Sequence, residues 1–117
     1  MEFKVQKINT DQLKNRLKRD RPFVLVDVRE MEAFVRGHIP GASSMHDGKV
    51  IPRVKSISKG TDIILYGPGL ADNAKLLEDA AEKFMSLGSR YVYMYVDGFN
   101  TWSNANNLTG HSLHKMY

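Results

Sequence analysis

The chain of 117 residues contains no cysteine. Disulfides and thiolate metal sites are therefore excluded within it, as is any reaction step on a thiolate of its own. It also lacks an apolar run near the roughly 18 residues that a membrane-spanning helix needs. Its first residues, Met1–Lys4, contain no long apolar region of the kind found in signal peptides. We therefore expect a cytoplasmic protein that makes no contact with a membrane.

Positive charge is scarce in the second half of the chain. Residues 1–59 hold 13 Lys and Arg against 7 Asp and Glu, whereas residues 60–117 hold 4 against 6. Much of the basic excess lies in Lys14–Arg21. We interpret it as a solvated helix face, and the alternative is a surface over Asp11–Arg21 that binds an acidic protein partner. Nucleic acid is not expected, because no aromatic side chains alternate with these charges to stack on bases.

Hydrophobic residues make up 42% of the sequence, which is enough for one domain with one core. Short apolar runs alternate with helical patterns, and no internal repeat interrupts the alternation. Phe23–Val26 is a continuous apolar run, which is typical of a strand buried on both faces of a parallel sheet. Strands are predicted at five segments: Lys4–Ile8, Phe23–Val26, Ser43–His46, Asp62–Tyr66 and Tyr91–Val96.

Helices are predicted between the strands. Leu13 and Leu17, four residues apart, predict a first helix capped by Asn9 or Thr10. The segment Val50–Lys59 predicts a helix or an irregular connection, interrupted early by Pro52. The other helices are predicted at Glu32–Val35 with an end at Gly37, at about Asn73–Leu87 with an end at Gly88, and at Phe99–Ala105. Residues 106–117 are polar and without a clear pattern, so an irregular C-terminal tail is predicted.

The end of the fourth predicted strand is the most informative point in the chain. In parallel α/β domains, ligands bind in the crevice outside the carboxyl ends of the strands. The turn at this point contains no Ser, Thr, Cys, His, Lys or Arg, so an enzyme-like scaffold here lacks reactive side chains. Gly67 and Gly69 also permit backbone angles that a Cβ would hinder. The turn comprises Gly67, Pro68, Gly69, Leu70, Ala71, Asp72 and Asn73.

Four segments together resemble the rhodanese homology domain. They are VLVDVRE at Val24–Glu30, GHIPGA at Gly37–Ala42, IILY at Ile63–Tyr66 and DGFNTW at Asp97–Trp102. The most specific feature is GHIPGA at this distance after DVR. The resemblance covers about 100 residues and implies an α/β fold, with a central parallel sheet of about five strands and helices on both faces. We accordingly expect a rhodanese-like domain over residues 1–105.

The resemblance also implies a reaction and the residue that should perform it. Enzymes of the family accept a sulfane sulfur from a donor such as thiosulfate onto a cysteine, then pass it from the persulfide to a thiophilic acceptor. That cysteine falls on Gly67, which has no side chain to react. Pro68 lacks an amide hydrogen for an anion, and Asp72 stands at the sixth loop position, where active members often carry arginine. We therefore interpret the loop Gly67–Asn73 as a vestigial active site without a catalytic residue.

The structural motif implied by the resemblance comprises six residues: Asp27, Arg29, His38, Gly41, Gly98 and Trp102. Asp27 and Arg29 look like an acid–base pair, but after a buried strand they are expected to hydrogen-bond the neighbouring loop. His46 is followed by an aspartate but lacks a third metal ligand, and His111 and His114 form an isolated pair in the tail. No metal and no cofactor is expected.

The leading hypothesis is a rhodanese-like module, inactive as a sulfurtransferase, that binds a protein partner or regulates a neighbour. Self-association is left open. A second hypothesis is an accessory role in sulfur transfer, or a small-anion site formed by the loop amides and the helix N-terminus. A third is a phosphoacceptor receiver domain, which has a similar length and an aspartate, Asp27, after an apolar strand. The third fits less well, because Asn9–Thr10 stands where an acidic pair is expected.

Overall fold

The protein forms a five-stranded parallel sheet. The computed structural model describes residues 4–69 and 73–104. Its strands are β1 (Lys4–Ile8), β2 (Phe23–Asp27), β3 (Ser43–Ser44), β4 (Asp62–Tyr66) and β5 (Tyr91–Tyr95), in the order β1-β5-β4-β2-β3. The central strand β4 is parallel to both its neighbours, so Tyr66 is in register with Asp27 on one side and Tyr95 on the other. These three residues mark the carboxyl end of the sheet.

The helices are α1 (Thr10–Lys18), α2 (Met31–Arg36), α3 (Val50–Ser56), α4 (Asn73–Ser86) and α5 (Gly98–Asn104). The start of α1 is fixed by a capping box. The side chain of Asn9 accepts from the backbone N–H of Gln12, and the side chain of Gln12 accepts from the backbone N–H of Asn9. Of the two caps that the sequence allows, the structure uses Asn9.

The core lies on both faces of the sheet. On one face, Val54 of α3 and Phe84 of α4 pack among strand residues that include Leu65. On the other face, Leu13 of α1 and Trp102 of α5 pack among residues that include Ile64 and Tyr66. Every residue of β4 is buried, because successive side chains of a strand point to opposite faces and both are covered. The predicted α/β fold with helices on both faces is confirmed.

Some predicted elements differ from the structure. β3 is limited to Ser43–Ser44, and β5 ends one residue before Val96. The prediction that Pro52 interrupts its segment is wrong, because α3 is a regular helix. Pro52 lies in its first turn, where a backbone N–H has no partner within the helix. The predicted tail, with His111 and His114, lies outside the described residues.

The strand order also tests the receiver-domain hypothesis. Receiver domains have the order 2-1-3-4-5, in which the first strand lies inside the sheet. Here β1 lies at an edge and pairs with β5. The receiver hypothesis is therefore wrong. Among residues 4–69 and 73–104, no helix has both the length and the apolar character needed to cross a membrane.

Candidate functional site

The loop after β4 is held against the start of α5. Gly67 is buried, and its carbonyl accepts a 2.8 Å hydrogen bond from the N–H of Phe99. The carbonyl of Pro68 accepts a 3.1 Å bond from the N–H of Asn100. The N–H groups in the first turn of a helix have no partner within the helix, and two of those in α5 are hydrogen-bonded to carbonyl groups of the loop. Of the predicted vestigial loop, Leu70, Ala71 and Asp72 lie outside the described residues, and Asn73 begins α4.

Two glycines permit this contact. Gly69 has φ +113° and Gly98 has φ +78°, both in the region that favours glycine. A Cβ on Gly98 would lie 2.5 Å from the backbone nitrogen of Gly69, and a Cβ on Gly69 would lie 2.6 Å from the carbonyl oxygen of Asp97. The loop and α5 therefore touch backbone to backbone, with no room for a side chain at either glycine.

Asp27 and Arg29 form a buried ion pair beside this loop. The Asp27 carboxylate is fully buried and accepts from Nε, Nη2 and the backbone N–H of Arg29, with a shortest distance of 2.7 Å. Nη2 of Arg29 also donates to the carbonyl of Gly37 at 2.6 Å, and its guanidinium carbon lies 4.1 Å from the centre of the Phe99 ring. The pair therefore connects the end of β2 to the end of α2 and to α5. Its hydrogen-bonding capacity serves the neighbouring backbone, as expected for a structural pair.

Tyr66 completes the buried network. Its hydroxyl accepts a 3.1 Å hydrogen bond from the N–H of Ile39 and is hydrogen-bonded to Asp27. Burial, followed by the negative charge and hydrogen bond of Asp27, raises the pKa of Tyr66 well above its usual value. The phenol therefore keeps its proton at neutral pH.

This raised pKa predicts a loss of stability at alkaline pH. Because the unfolded chain releases the Tyr66 proton near pH 10 and the folded chain retains it, the contribution is intact below about pH 10 and falls above it. Tyr66 is expected to lower the free energy of unfolding by up to about 1.4 kcal/mol per pH unit there. Urea denaturation at increasing pH measures the slope. Tyr66→Phe should flatten it, and an unchanged slope would contradict the assignment.

The other predicted motif residues lie at the edges of this region. Nδ1 of His38 donates to the carbonyl of Phe34 at 2.8 Å, and the two rings stack at 3.9 Å. Gly41 has φ +89°, and Trp102 packs edge-on against Tyr95. These contacts position the turn after α2 and the helix α5.

The candidate metal residues do not form a cluster. His46 is exposed, and the side chain of Asp47 accepts from the backbone N–H of Lys49. No group of three His, Asp or Glu side chains suited to a metal ion occurs within residues 4–69 and 73–104.

The basic helix is partly neutralised. Asp62, which is buried, forms ion pairs with Arg16 at 3.5 Å and with Arg21 at 3.1 Å. The same two guanidinium groups lie over aromatic rings, that of Arg16 3.8 Å from the centre of Tyr93 and that of Arg21 5.6 Å from the centre of Tyr91. The interpretation of Lys14–Arg21 as a wholly solvated face is therefore wrong for Arg16, which is half-buried. The charge left for an acidic partner is smaller than the sequence suggests.

A groove runs beside the vestigial loop. Its first cavity, of about 380 Å³, is lined by residues that include Val28, Pro68 and Leu76. A second cavity, of about 260 Å³, shares Val28 and Leu76 and extends to Met45. Leu76 is 43% exposed, although leucine side chains are more often buried. The surface beside the loop after β4 is thus open and has an apolar centre.

Three residues of this region were not predicted to contribute to the site: Tyr66, Phe99 and Leu76. Tyr66 was assigned to a strand, and its hydroxyl contacts depend on the pairing of β2 with β4. Phe99 reaches Arg29 across 70 positions of sequence. The exposure of Leu76 could have been predicted from the sequence. It lies beside Leu77, and only one of two adjacent positions on a helix faces the core.

Comparison with known proteins agrees with this geometry. The chain is similar to a protein from Bacillus halodurans, BH2092, with 30% sequence identity and a TM-score of 0.76 over 92% of this chain and 78% of that one. The rhodanese-like domain of Alr3790 from Anabaena has 25% identity and a TM-score of 0.72, over 95% and 88% of the two chains.

A curated relative adds a functional description. "Putative sulfur carrier protein YrkF" of Bacillus subtilis (strain 168) is 24% identical over 99 residues, which are 85% of this chain. The matched region is 51% of that relative, so the chain spans about half the length of the protein it matches. A sequence model of the family described as "Rhodanese-like domain" matches residues 9–105. The chain therefore belongs to the rhodanese-like domain family, as its motifs predicted.

Proposed function

We propose that this rhodanese-like domain does not catalyse sulfur transfer by itself and acts as a protein-interaction or regulatory module. The observation that carries the proposal is Gly67, which occupies the carboxyl end of β4 in a chain without cysteine. Transfer from thiosulfate requires a thiolate that attacks the outer sulfur, releases sulfite and holds the sulfur as a persulfide. Glycine offers no atom for the first of these steps.

Among the residues that the structure describes, no neighbouring side chain replaces the thiolate. Asp27 is fully buried and already accepts from Arg29. Tyr66 is protonated at neutral pH, as tyrosines ordinarily are, and burial raises its pKa further. Arg29 is a cation and not a nucleophile. The titratable groups in contact at this end of the sheet therefore stabilise the fold and do not support nucleophilic catalysis.

The surface beside the loop supports a binding role. The two cavities that share Leu76 form an apolar strip with charged side chains along it, among them Glu30 and Lys83. Exposed apolar side chains in a groove with a polar rim are typical of sites where proteins bind partners. The basic segment Asp11–Arg21, which includes most of α1, is a second candidate surface, with less free charge. A cytoplasmic location and self-association stay predictions.

A thiosulfate–cyanide assay tests whether the domain catalyses sulfur transfer by itself. We expect no thiocyanate formation above a heat-inactivated control, because no thiolate exists to carry the sulfur. Gly67→Cys is the matched variant, since it restores the family's nucleophile at its own position. Turnover by the unmodified chain would overturn the proposal.

The variant also reports on the shape of the loop. A mass increase of one sulfur atom on Gly67→Cys after thiosulfate treatment would show that the loop still supports a persulfide. Absence of the adduct would show that a cysteine at position 67 is not sufficient, and that other departures in the loop, such as Pro68 and Asp72, also prevent persulfide formation.

An accessory role in sulfur transfer is the second candidate function. It is favoured by the relative described as a sulfur carrier, although only half of that relative matches this chain. In that role a partner would supply the thiol, and the loop would bind the anion. Amide resonances of Gly67 and Gly69 that stay unchanged during thiosulfate titration would reject this candidate.

A further inference from the structure

An open cavity of about 320 Å³ is lined by residues of α2 and α5. Its volume falls at the lower end of the range for small-molecule sites. Four of its lining residues carry side-chain hydrogen-bond donors, namely Arg29, Arg36, Asn100 and Ser103. None of the described residues that line it is acidic. Hydrogen-bond donors therefore predominate among the polar side chains of the described wall.

The two arginines differ in how their charge is balanced. Arg29 is paired with Asp27, and the carbonyl of Gly37 in the same wall already accepts from it. Arg36 is exposed in the last turn of α2 and makes no ion pair with any residue in the described part of the chain. Arg36 also lines the neighbouring cavity, together with Glu30 and Glu32, but forms an ion pair with neither of them. The positive charge of Arg36 is thus free at the edge of a donor-lined cavity.

Asn100 and Ser103 project from one face of α5, three positions apart. The backbone N–H of Asn100 is used by Pro68, whereas its side-chain amide and the Ser103 hydroxyl make no hydrogen bond to another described residue. A planar guanidinium with nearby amide and hydroxyl donors is a suitable set for the oxygens of a carboxylate, sulfate or phosphate.

We propose that the cavity between α2 and α5 binds an oxyanion through Arg36, Asn100 and Ser103, with Arg29 as its buried wall. This site goes beyond the proposed function, since oxyanion binding here does not require the loop after β4 to be inactive. Of the loop after β4, the described residues Gly67–Gly69 contribute nothing to the lining of the cavity. The oxyanion comes either from a small ion or from an acidic side chain of another protein.

The proposal is tested by titration with sodium sulfate, sodium phosphate or a capped glutamate peptide. Ionic strength is kept constant with sodium chloride, and the side-chain amide of Asn100 and the backbone amide of Ser103 are followed by NMR. We expect saturable shifts at both residues. Arg36→Ala should weaken the apparent affinity about tenfold, because it removes a charge-assisted hydrogen bond. Arg36→Lys, which keeps the charge but loses the planar fork, should bind with intermediate affinity.

Arg53→Ala is the matched control. Arg53 is also exposed in the last turn of a short helix, so this variant removes the same charge away from the cavity. The control should bind as the unmodified chain does. Equal loss of affinity in Arg36→Ala and Arg53→Ala would mean that the anions respond only to the overall positive charge, and would overturn the proposal. The absence of saturable shifts with all three probes would overturn it as well. Tighter binding of the glutamate peptide would assign the site to a protein carboxylate, and tighter binding of sulfate or phosphate to a free ion.

Discussion

Gly98→Ala is expected to destabilise the protein by about 3 kcal/mol, one of the largest effects of any single methyl group added to this fold. The new Cβ would contact the Cα of Gly69 and lie 2.5 Å from its nitrogen and 2.7 Å from the carbonyl carbon of Pro68. All three are backbone atoms, so no side-chain rotation relieves the contact. The φ of +78° adds conformational strain for alanine.

The surrounding structure prevents α5 from moving away. The side chain of Asp97, directly before Gly98, accepts from both the backbone N–H and the hydroxyl of Thr10. Directly after it, Phe99 and Asn100 are hydrogen-bonded to the loop. A shift of α5 would therefore break contacts to α1 and to the loop after β4 together.

Gly48→Ala is the control for this prediction. Gly48 lies in an exposed turn, its φ is outside the positive region, and a Cβ there would meet no atom within 4 Å. The free energy of unfolding from urea denaturation should change by less than about 0.5 kcal/mol. If Gly98→Ala were as stable as Gly48→Ala, the close contact between the loop and α5 would be contradicted.

The same contact shows what a sequence can and cannot predict. The strands were predicted because continuous apolar runs such as Ile63–Tyr66 indicate burial on both sheet faces, a local property. DGFNTW indicated that Gly98 belongs to a structural motif, but not which atoms approach it. Gly69 and Gly98 lie 29 positions apart, and their contact depends on the crossover from β4 through α4 to β5.

Side-chain pairings across the fold were missed for a related reason. The charge count of Lys14–Arg21 indicated a solvated face, whereas Arg16 lies over Tyr93 and pairs with Asp62. Long arginine side chains bury their stems and stack on aromatic rings wherever tertiary structure brings such rings within reach. Local periodicity contains no information about those partners. The end of β4 at Tyr66 was predictable, because it follows from a buried apolar run, and the assignment of a vestigial site to the loop after it stays a prediction.

Asp27→Asn is expected to destabilise the protein by about 3 to 5 kcal/mol, the range found when one partner of a buried ion pair is removed. Asparagine has nearly the same shape, so the loss comes from charge and hydrogen bonding and not from a cavity. The guanidinium of Arg29, whose side chain is only 11% exposed, would lose its counter-charge. The amide group of asparagine would also present two donors where the carboxylate accepted from Arg29.

Asp79→Asn makes the same chemical change in an exposed pair. Asp79 is 60% exposed and contacts Lys75 at 3.1 Å, one helical turn away. Because solvent and salt screen exposed pairs, this variant should leave the midpoint of urea denaturation nearly unchanged. The substitution is the same in both variants, whereas the pairs differ in burial and in the number of hydrogen bonds that the carboxylate accepts.

The double variant Asp27→Asn with Arg29→Gln tests whether the two side chains stabilise the protein as a pair or contribute independently to the free energy of unfolding. Removing the stranded guanidinium should recover part of the lost stability, so the double variant should be more stable than Asp27→Asn alone. Additive losses in the double variant would contradict coupling between the two side chains. In that case, Asp27 would stabilise the end of β2 through contacts that Arg29→Gln leaves in place, such as its hydrogen bond from the backbone N–H of residue 29.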